Sequence, residues 1–228
     1  APSDHLIKKE DECRMVMDEA FRFAGEHDAL LTLGIRPDRP ETGYGYIQAN
    51  TMQPVIGYDN LHKVKAFTEK PELAMAKIFL ESGDFYWNSG IFIWKGSTIL
   101  ESYNRHLPDI FHTFNEGKDL FSKPSEKEFI IRAYAQCSSI SVDYGIMEKA
   151  DNVYVICTDL GWSDLGTWCS LYLHSLHDKN YNAVLNSRAF TYNSEGNCIS
   201  RPKDKIAVIQ GLDDYIIIDT GDVLLIVS

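Results

Sequence analysis

Apolar residues recur with helical spacing early in the chain. From Cys13 they fall at Val16, Met17, Ala20, Phe21 and Ala24, which share one helical face. Gly25 marks the expected stop. The apolar run 29–35, Ala-Leu-Leu-Thr-Leu-Gly-Ile, then reads as a strand buried on both faces. A helix feeding a buried strand is the second half of a βαβ unit. The chain is therefore expected to begin at the carboxyl end of a strand whose body lies upstream.

Further along, 36–43 carries loop chemistry in its Pro, Asp and Gly residues. Segments 44–49 and 63–68 read as strands. Pro71 and Glu72 open a helix that Leu73, Ala76, Lys77 and Leu80 continue and Gly83 ends. A short buried strand is expected at 91–94. Residues 97–136 look helical in two or three pieces, broken near Pro108 and Pro124. A strand at 152–158 and a helix at 167–177 follow.

After Asn180 the texture changes. Short β-rich runs at 183–185, 206–209, 215–218 and 223–227 alternate with Asp, Gly and Asn turns. This predicts an α/β main body over residues 1–178 and a small all-β appendage over 179–228. A coil-type β-helix and a plain meander both fit the appendage.

Composition narrows the function. The 228 residues are 44% hydrophobic and 24% charged, which is ordinary for a folded globular chain. The net charge of -11 repels phosphate backbones, so broad nucleic-acid binding and anionic-membrane binding are not expected. A single phosphorylated small molecule can still be received by a few local cations or a metal. Five cysteines, odd in number and without a CxxC pair, read as reduced, part-buried thiols in a cytoplasmic protein. No apolar run approaches the ~18 residues of a membrane span, and a signal peptide is not expected.

Five segments carry candidate chemistry, and each has a plain structural counterpart. Asp4 would face the ligand crevice from the end of a parallel strand, or cap a helix. In Gly43-Tyr44-Gly45-Tyr46, glycines let backbone N–H groups approach a ligand, or simply make a turn. Glu69 and Lys70 stand together before a helix. The first suits sugar hydroxyls and the second a phosphate, or both form a solvated pair. Asn88, in Trp87-Asn88-Ser89-Gly90, offers a donor and an acceptor to vicinal hydroxyls, or makes an Asn turn before a strand. Asp164, between Gly161 and Gly166, is placed for a metal or for capping. His174 and His177 share a helix face without a third ligand nearby, and no hydrolase, zincin or P-loop signature occurs.

Read in order, these segments resemble the sugar nucleotidyltransferase superfamily and, within it, the mannose-1-phosphate guanylyltransferases. The resemblance also takes in Ile140-Ser141-Val142-Asp143-Tyr144 and Gly161-Trp162-Ser163-Asp164-Leu165-Gly166-Thr167-Trp168. It implies a Rossmann-like nucleotidyltransferase domain followed by the start of a left-handed β-helix. It implies GTP and mannose 1-phosphate as substrates and Mg²⁺ as cofactor, with a homo-oligomer among the expected assemblies. By position, Asp4 and Asp164 would hold the metal, and Lys70 would meet the sugar phosphate. Glu69 and Asn88 would bind mannose hydroxyls, and the Gly45 amide would touch the sugar. Asp143 receives no assigned role.

The family's Gly-rich loop with Thr-Arg, which cradles the triphosphate, has no counterpart in these residues. The resemblance thus implies a domain without its first nucleotide-binding strands. Its sheet would have an edge open to pairing, and the 228 residues alone would be inactive. A glucose-1-phosphate nucleotidyltransferase and a non-catalytic sugar-phosphate-binding or assembly module are the alternative readings.

Overall fold

A computed structural model describes all 228 residues, which divide into two compact units. One holds residues 1–3 and 7–162, the other 4–6 and 163–228. The second unit thus begins at Ser163, ahead of the boundary expected near 179. Two short strands, β1 (Leu6–Ile7) and β7 (Trp162–Ser163), fall where the chain passes from one unit to the other.

The first unit is built on five strands: β2 (Leu30–Ile35), β3 (Tyr46–Pro54), β4 (Leu61–Thr68), β5 (Phe85–Ile93) and β6 (Val153–Thr158). Their spatial order is β2-β5-β3-β4-β6. The sheet is mixed: β2 and β6 run parallel, and every other pair is antiparallel. All six residues of β2 are buried, as its unbroken apolar run requires. The open edge expected from the sequence is absent. β6 pairs with β4 through Leu61 and Ile156, and with β2 through Leu30 and Val153, so the strands close into a ring.

Helix α1 (Glu10–Glu26) lays Val16, Ala20, Phe23 and Ala24 against β2, β5 and β6. Phe21, expected on this face, is 60% exposed, and Phe23 takes the core position against Tyr58 and Tyr154. The helix also runs through Gly25 rather than stopping there. Helix α2 (Leu73–Ser82) ends at Gly83, whose φ of 76° supplies a left-handed stop. The region 97–136 forms α3 (Gly96–His106), α4 (Pro108–Glu116) and α5 (Glu126–Gln136). Pro108 sits at the first turn of α4, where its missing N–H costs nothing. A π-helical turn at Asp143–Met147 then leads to β6.

The second unit opens with α6 (Trp168–Leu173), shorter than the helix expected to His177. Strands β8 (Ala183–Leu185), β10 (Cys198–Ser200) and β12 (Ile216–Asp219) stack in parallel, with Ala183, Cys198 and Ile216 in register. β9 (Arg188–Tyr192) and β11 (Ile206–Gln210) form a second parallel pair. β13 (Leu224–Val227) runs antiparallel to β12. A meander would pair successive strands antiparallel, and only β12 and β13 do so. Ile199, Ala207, Ile209 and Ile217 form the core of this unit.

Asn197, fully buried, ties the stack together. Its amide donates to Asn182 Oδ1 and to the Leu212 carbonyl, both at 2.8 Å, and its Oδ1 accepts the Tyr215 N–H at 2.9 Å. Asn197→Ala would strand several buried polar groups at once. We expect it to destabilise the second unit by roughly 2–4 kcal/mol. Native-state hydrogen exchange at the Tyr215 amide reads this directly.

Candidate functional site

The register of three strands assembles the first cluster. Tyr46 lies opposite Thr68 on β4 and opposite Trp87 on β5. One step before Tyr46, Gly45 therefore lies between Glu69, just past β4, and Asn88 on β5. The Gly45 carbonyl accepts the Asn88 N–H at 2.8 Å. The side chains of both neighbours close over the glycine. A Cβ added there would stand 2.5 Å from Glu69 Oε2 and 3.4 Å from Asn88 Cβ. Gly45 is glycine because a carboxylate occupies the space a side chain would need.

Lys70 follows with a φ of 44°, a left-handed conformation uncommon for a residue with a side chain. Its Nζ lies 3.4 Å from Glu69 Oε1, and its side chain is 64% exposed. Such a pair contributes little to stability, and the ammonium remains accessible to an incoming anion.

Asn88 lies within β5, not in a turn before it. Gly90 makes this workable, since its φ of 68° lets its N–H fold back to Asn88 Oδ1 at 3.1 Å. The next side chain, Ser89, is buried and donates to the Leu33 carbonyl at 2.7 Å. Asn88 Nδ2 donates to Asp143 Oδ1 at 2.8 Å. Asp143 opens the π-helical turn, and Tyr144 and Glu148 stand with it. Burial pushes the Glu148 carboxyl above the usual range, helped by the negative charges of Asp143 and Glu69. The Tyr144 phenol is raised by desolvation and then by Glu69 and Glu148, while Lys70 acts in the opposite direction. Lys70, beside Glu69, and Lys149, which acts on Glu148, oppose the several carboxylates of this cluster.

Tyr44 and Tyr46 point elsewhere. Tyr44 packs edge-on against Trp87 and Trp162, with ring centroids 5.2 Å apart in each case. The Tyr46 hydroxyl donates to the Glu41 carbonyl and accepts its N–H. Their role is to hold the strand that presents Gly45.

Asp164 and Asp4 belong to the second unit. Asp164 is half-buried and lies on a tight turn. Its Oδ1 accepts the Gly166 N–H at 2.9 Å, and Leu165 beside it has a φ of 52°. It does not cap α6. That task falls to Thr167, which exchanges hydrogen bonds with Ser170 in a capping box. Asp4 is exposed in a bend and caps no helix, since α1 starts beyond Lys9. His177 packs edge-on against Tyr172. No three His, Cys, Asp or Glu side chains gather as a metal site. All five cysteines are free, and Cys169 is exposed rather than part-buried. No helix is long and apolar enough to cross a membrane.

Asp143, Tyr144 and Glu148 were not assigned from the sequence. Asp143 lies 55 residues beyond Asn88, and nothing in Val142-Asp143-Tyr144 announces a π-helical turn.

Residues 1–180 match the nucleotidyl transferase family. The chain is 34% identical over 228 residues to a mannose-1-phosphate guanylyltransferase of Sinorhizobium fredii, covering 99% of this chain and 43% of that protein. It is 33% identical over 231 residues to a mannose-1-phosphate guanylyltransferase of Escherichia coli, covering 98% and 46%. The chain thus spans about half the length of these curated relatives. A crystal structure described as mannose-1-phosphate geranyltransferase from Thermus thermophilus superimposes with a TM-score of 0.84 at 30% identity. That match covers 99% of this chain and 63% of the other. The mixed sheet and its helices are the α/β nucleotidyltransferase fold.

Proposed function

The chain belongs to the nucleotidyl transferase family, and from that premise we propose that it serves a mannose-1-phosphate guanylyltransferase. The reaction is GTP plus α-D-mannose 1-phosphate giving GDP-mannose plus pyrophosphate. The observation that carries this reading is the convergence of Glu69, Lys70 and Asn88 around Gly45. Relatives of that name match the chain almost end to end.

Each residue has a chemical task in this proposal. Glu69 accepts hydrogen bonds from sugar hydroxyls, and Asn88 offers one donor and one acceptor to a neighbouring pair. The absent side chain at Gly45 lets the sugar approach the backbone. Lys70 receives the sugar phosphate as a point charge. An oxygen of that phosphate attacks the α-phosphorus of GTP. The bond from that phosphorus to the bridging oxygen breaks, and pyrophosphate leaves with the electron pair. No covalent enzyme intermediate is needed, so the rate comes from positioning and electrostatics.

Asp4 and Asp164 would hold Mg²⁺, which takes a few carboxylates and completes its shell with water and phosphate oxygens. They suit it as hard oxygen donors, and the Gly166 N–H already orients the Asp164 carboxylate. A bound Mg²⁺ would neutralise charge on the phosphates. We further propose that the parallel strand stacks of the second unit begin a left-handed β-helix and that the protein works in the cytoplasm. The net charge of -11 argues against nucleic-acid partners and anionic membranes.

Pyrophosphate release by the intact protein, with GTP, Mg²⁺ and either mannose 1-phosphate or glucose 1-phosphate, tests the reading. Preference for the mannose substrate supports it. Preference for the glucose substrate would move the protein to another branch, and sugar-phosphate binding without turnover would make it a binding module. Lys70→Ala should weaken binding of the sugar phosphate by about 10- to 100-fold, the scale of one charge-assisted contact. GTP affinity should change much less. Calorimetric titration of both substrates checks this, and an equal loss for both removes Lys70 from the sugar-phosphate site.

A further inference from the structure

We propose that Asp143 is a positioning residue that fixes which way round the Asn88 amide faces the sugar, and thereby sets hydroxyl discrimination. This rests on the reading that Asn88 touches the sugar.

A carboxamide is almost symmetric in shape but not in chemistry. Turning it over exchanges its acceptor oxygen for its two-donor nitrogen. An unrestrained Asn could therefore present either pattern to a hydroxyl pair, and would discriminate poorly between epimers. Asn88 is restrained on both sides. Its Nδ2 donates to Asp143 Oδ1 at 2.8 Å, and its Oδ1 accepts the Gly90 N–H at 3.1 Å. A backbone N–H can only donate, and a carboxylate accepts. The reversed amide would set oxygen against oxygen and N–H against N–H at once. The charge-assisted bond to Asp143 is the stronger of the two restraints. One N–H and one lone pair of Asn88 then remain, in a fixed arrangement, for a ligand.

Asp143 is itself held in place. It begins the π-helical turn, an arrangement that recurs at functional sites, and its carbonyl accepts the Glu148 N–H at 2.9 Å. Gly145, Ile146 and Met147 anchor that turn in the core. A Cβ on Gly145 would come within 2.7 Å of Leu107 Cδ1, so the turn sits directly on the junction of α3 and α4. A side chain on a buried, wide turn is a firm post against which to orient another.

The test compares Asp143→Ala, Asp143→Asn, Asn88→Ala and the Asn88→Ala/Asp143→Ala double variant in the intact protein. The readout is the ratio of kcat/KM for mannose 1-phosphate to that for glucose 1-phosphate, with KM for GTP and Tm measured alongside. Asp143→Ala should lower the ratio about tenfold, the effect of one lost hydrogen bond, with KM for GTP unchanged. Asp143→Asn can still turn an oxygen toward Asn88 Nδ2 and should recover most of the ratio. The double variant should discriminate no worse than Asn88→Ala alone. Additive losses in the double variant would overturn the proposal, because Asp143 would then act on the sugar directly. An unchanged ratio in Asp143→Ala, beside a reduced one in Asn88→Ala, would also overturn it. An unchanged ratio in Asn88→Ala removes the sugar contact itself, and the proposal falls with it. A fall in Tm without a change in ratio marks Asp143 as structural only.

Discussion

Gly45→Ala is expected to reduce turnover by about 100-fold while leaving the protein folded. The new Cβ would lie 2.5 Å from Glu69 Oε2, too close for contact, but that oxygen is the end of a flexible side chain. The other close atom, Asn88 Cβ at 3.4 Å, tolerates the added carbon at little cost. The backbone at Gly45 is not left-handed, so alanine meets no conformational penalty there. The carboxylate must therefore swing aside, and strand pairing survives. Under the proposed function Glu69 holds a sugar hydroxyl, and a displacement of about 1 Å in such a group can cost about 10²-fold in rate. Steady-state kinetics on the intact protein, together with a thermal melt, separate the two effects. A melt shifted by several degrees with catalysis intact would place the importance of Gly45 in the fold and take Glu69 out of the site.

The sequence made some of this legible because local chemistry decided it. The apolar run of β2 read as a strand buried on both faces, and Pro108 marked a break between two helices. Glu69 and Lys70 could be picked out because an acid and a base stood at the end of one element and just before the next. Other features depend on partners far along the chain. The ring closes because β2 finds both β5 and β6, more than fifty residues away in sequence. Asn88 looked like a turn residue because Ser89 and Gly90 follow it. Only the Ser89 bond to Leu33 and the left-handed Gly90 show how a strand accommodates all three. The capping alternative for Asp164 falls away because Thr167 and Ser170 cap the helix between themselves. β9 escaped notice because it turns its larger residues, Phe190 and Tyr192, toward solvent.

Asp164→Asn should cut Mg²⁺-dependent turnover of the intact protein by roughly 10²–10³-fold, the loss seen when one preorganised electrostatic group is removed from a reacting centre. The substitution is chosen because asparagine is nearly isosteric. Its Oδ1 can still accept the Gly166 N–H that Asp164 now accepts at 2.9 Å. The turn that carries it, with Leu165 at positive φ, has no reason to rearrange. Ser163 Oγ continues to accept the Leu165 N–H, and Thr167 continues to cap α6, so neither end of the turn is released. What changes is charge. An amide oxygen is a weaker ligand for a hard divalent cation than a carboxylate, and a cation that keeps most of its waters depends heavily on its few charged protein ligands. The apparent affinity for Mg²⁺ should fall with the rate, and raising Mg²⁺ should restore part of it. The same variant should melt at nearly the wild-type temperature. The measurement is an initial-rate titration with Mg²⁺ from limiting to saturating concentrations. Turnover at limiting Mg²⁺ equal to that of the unmodified protein would remove Asp164 from the metal site.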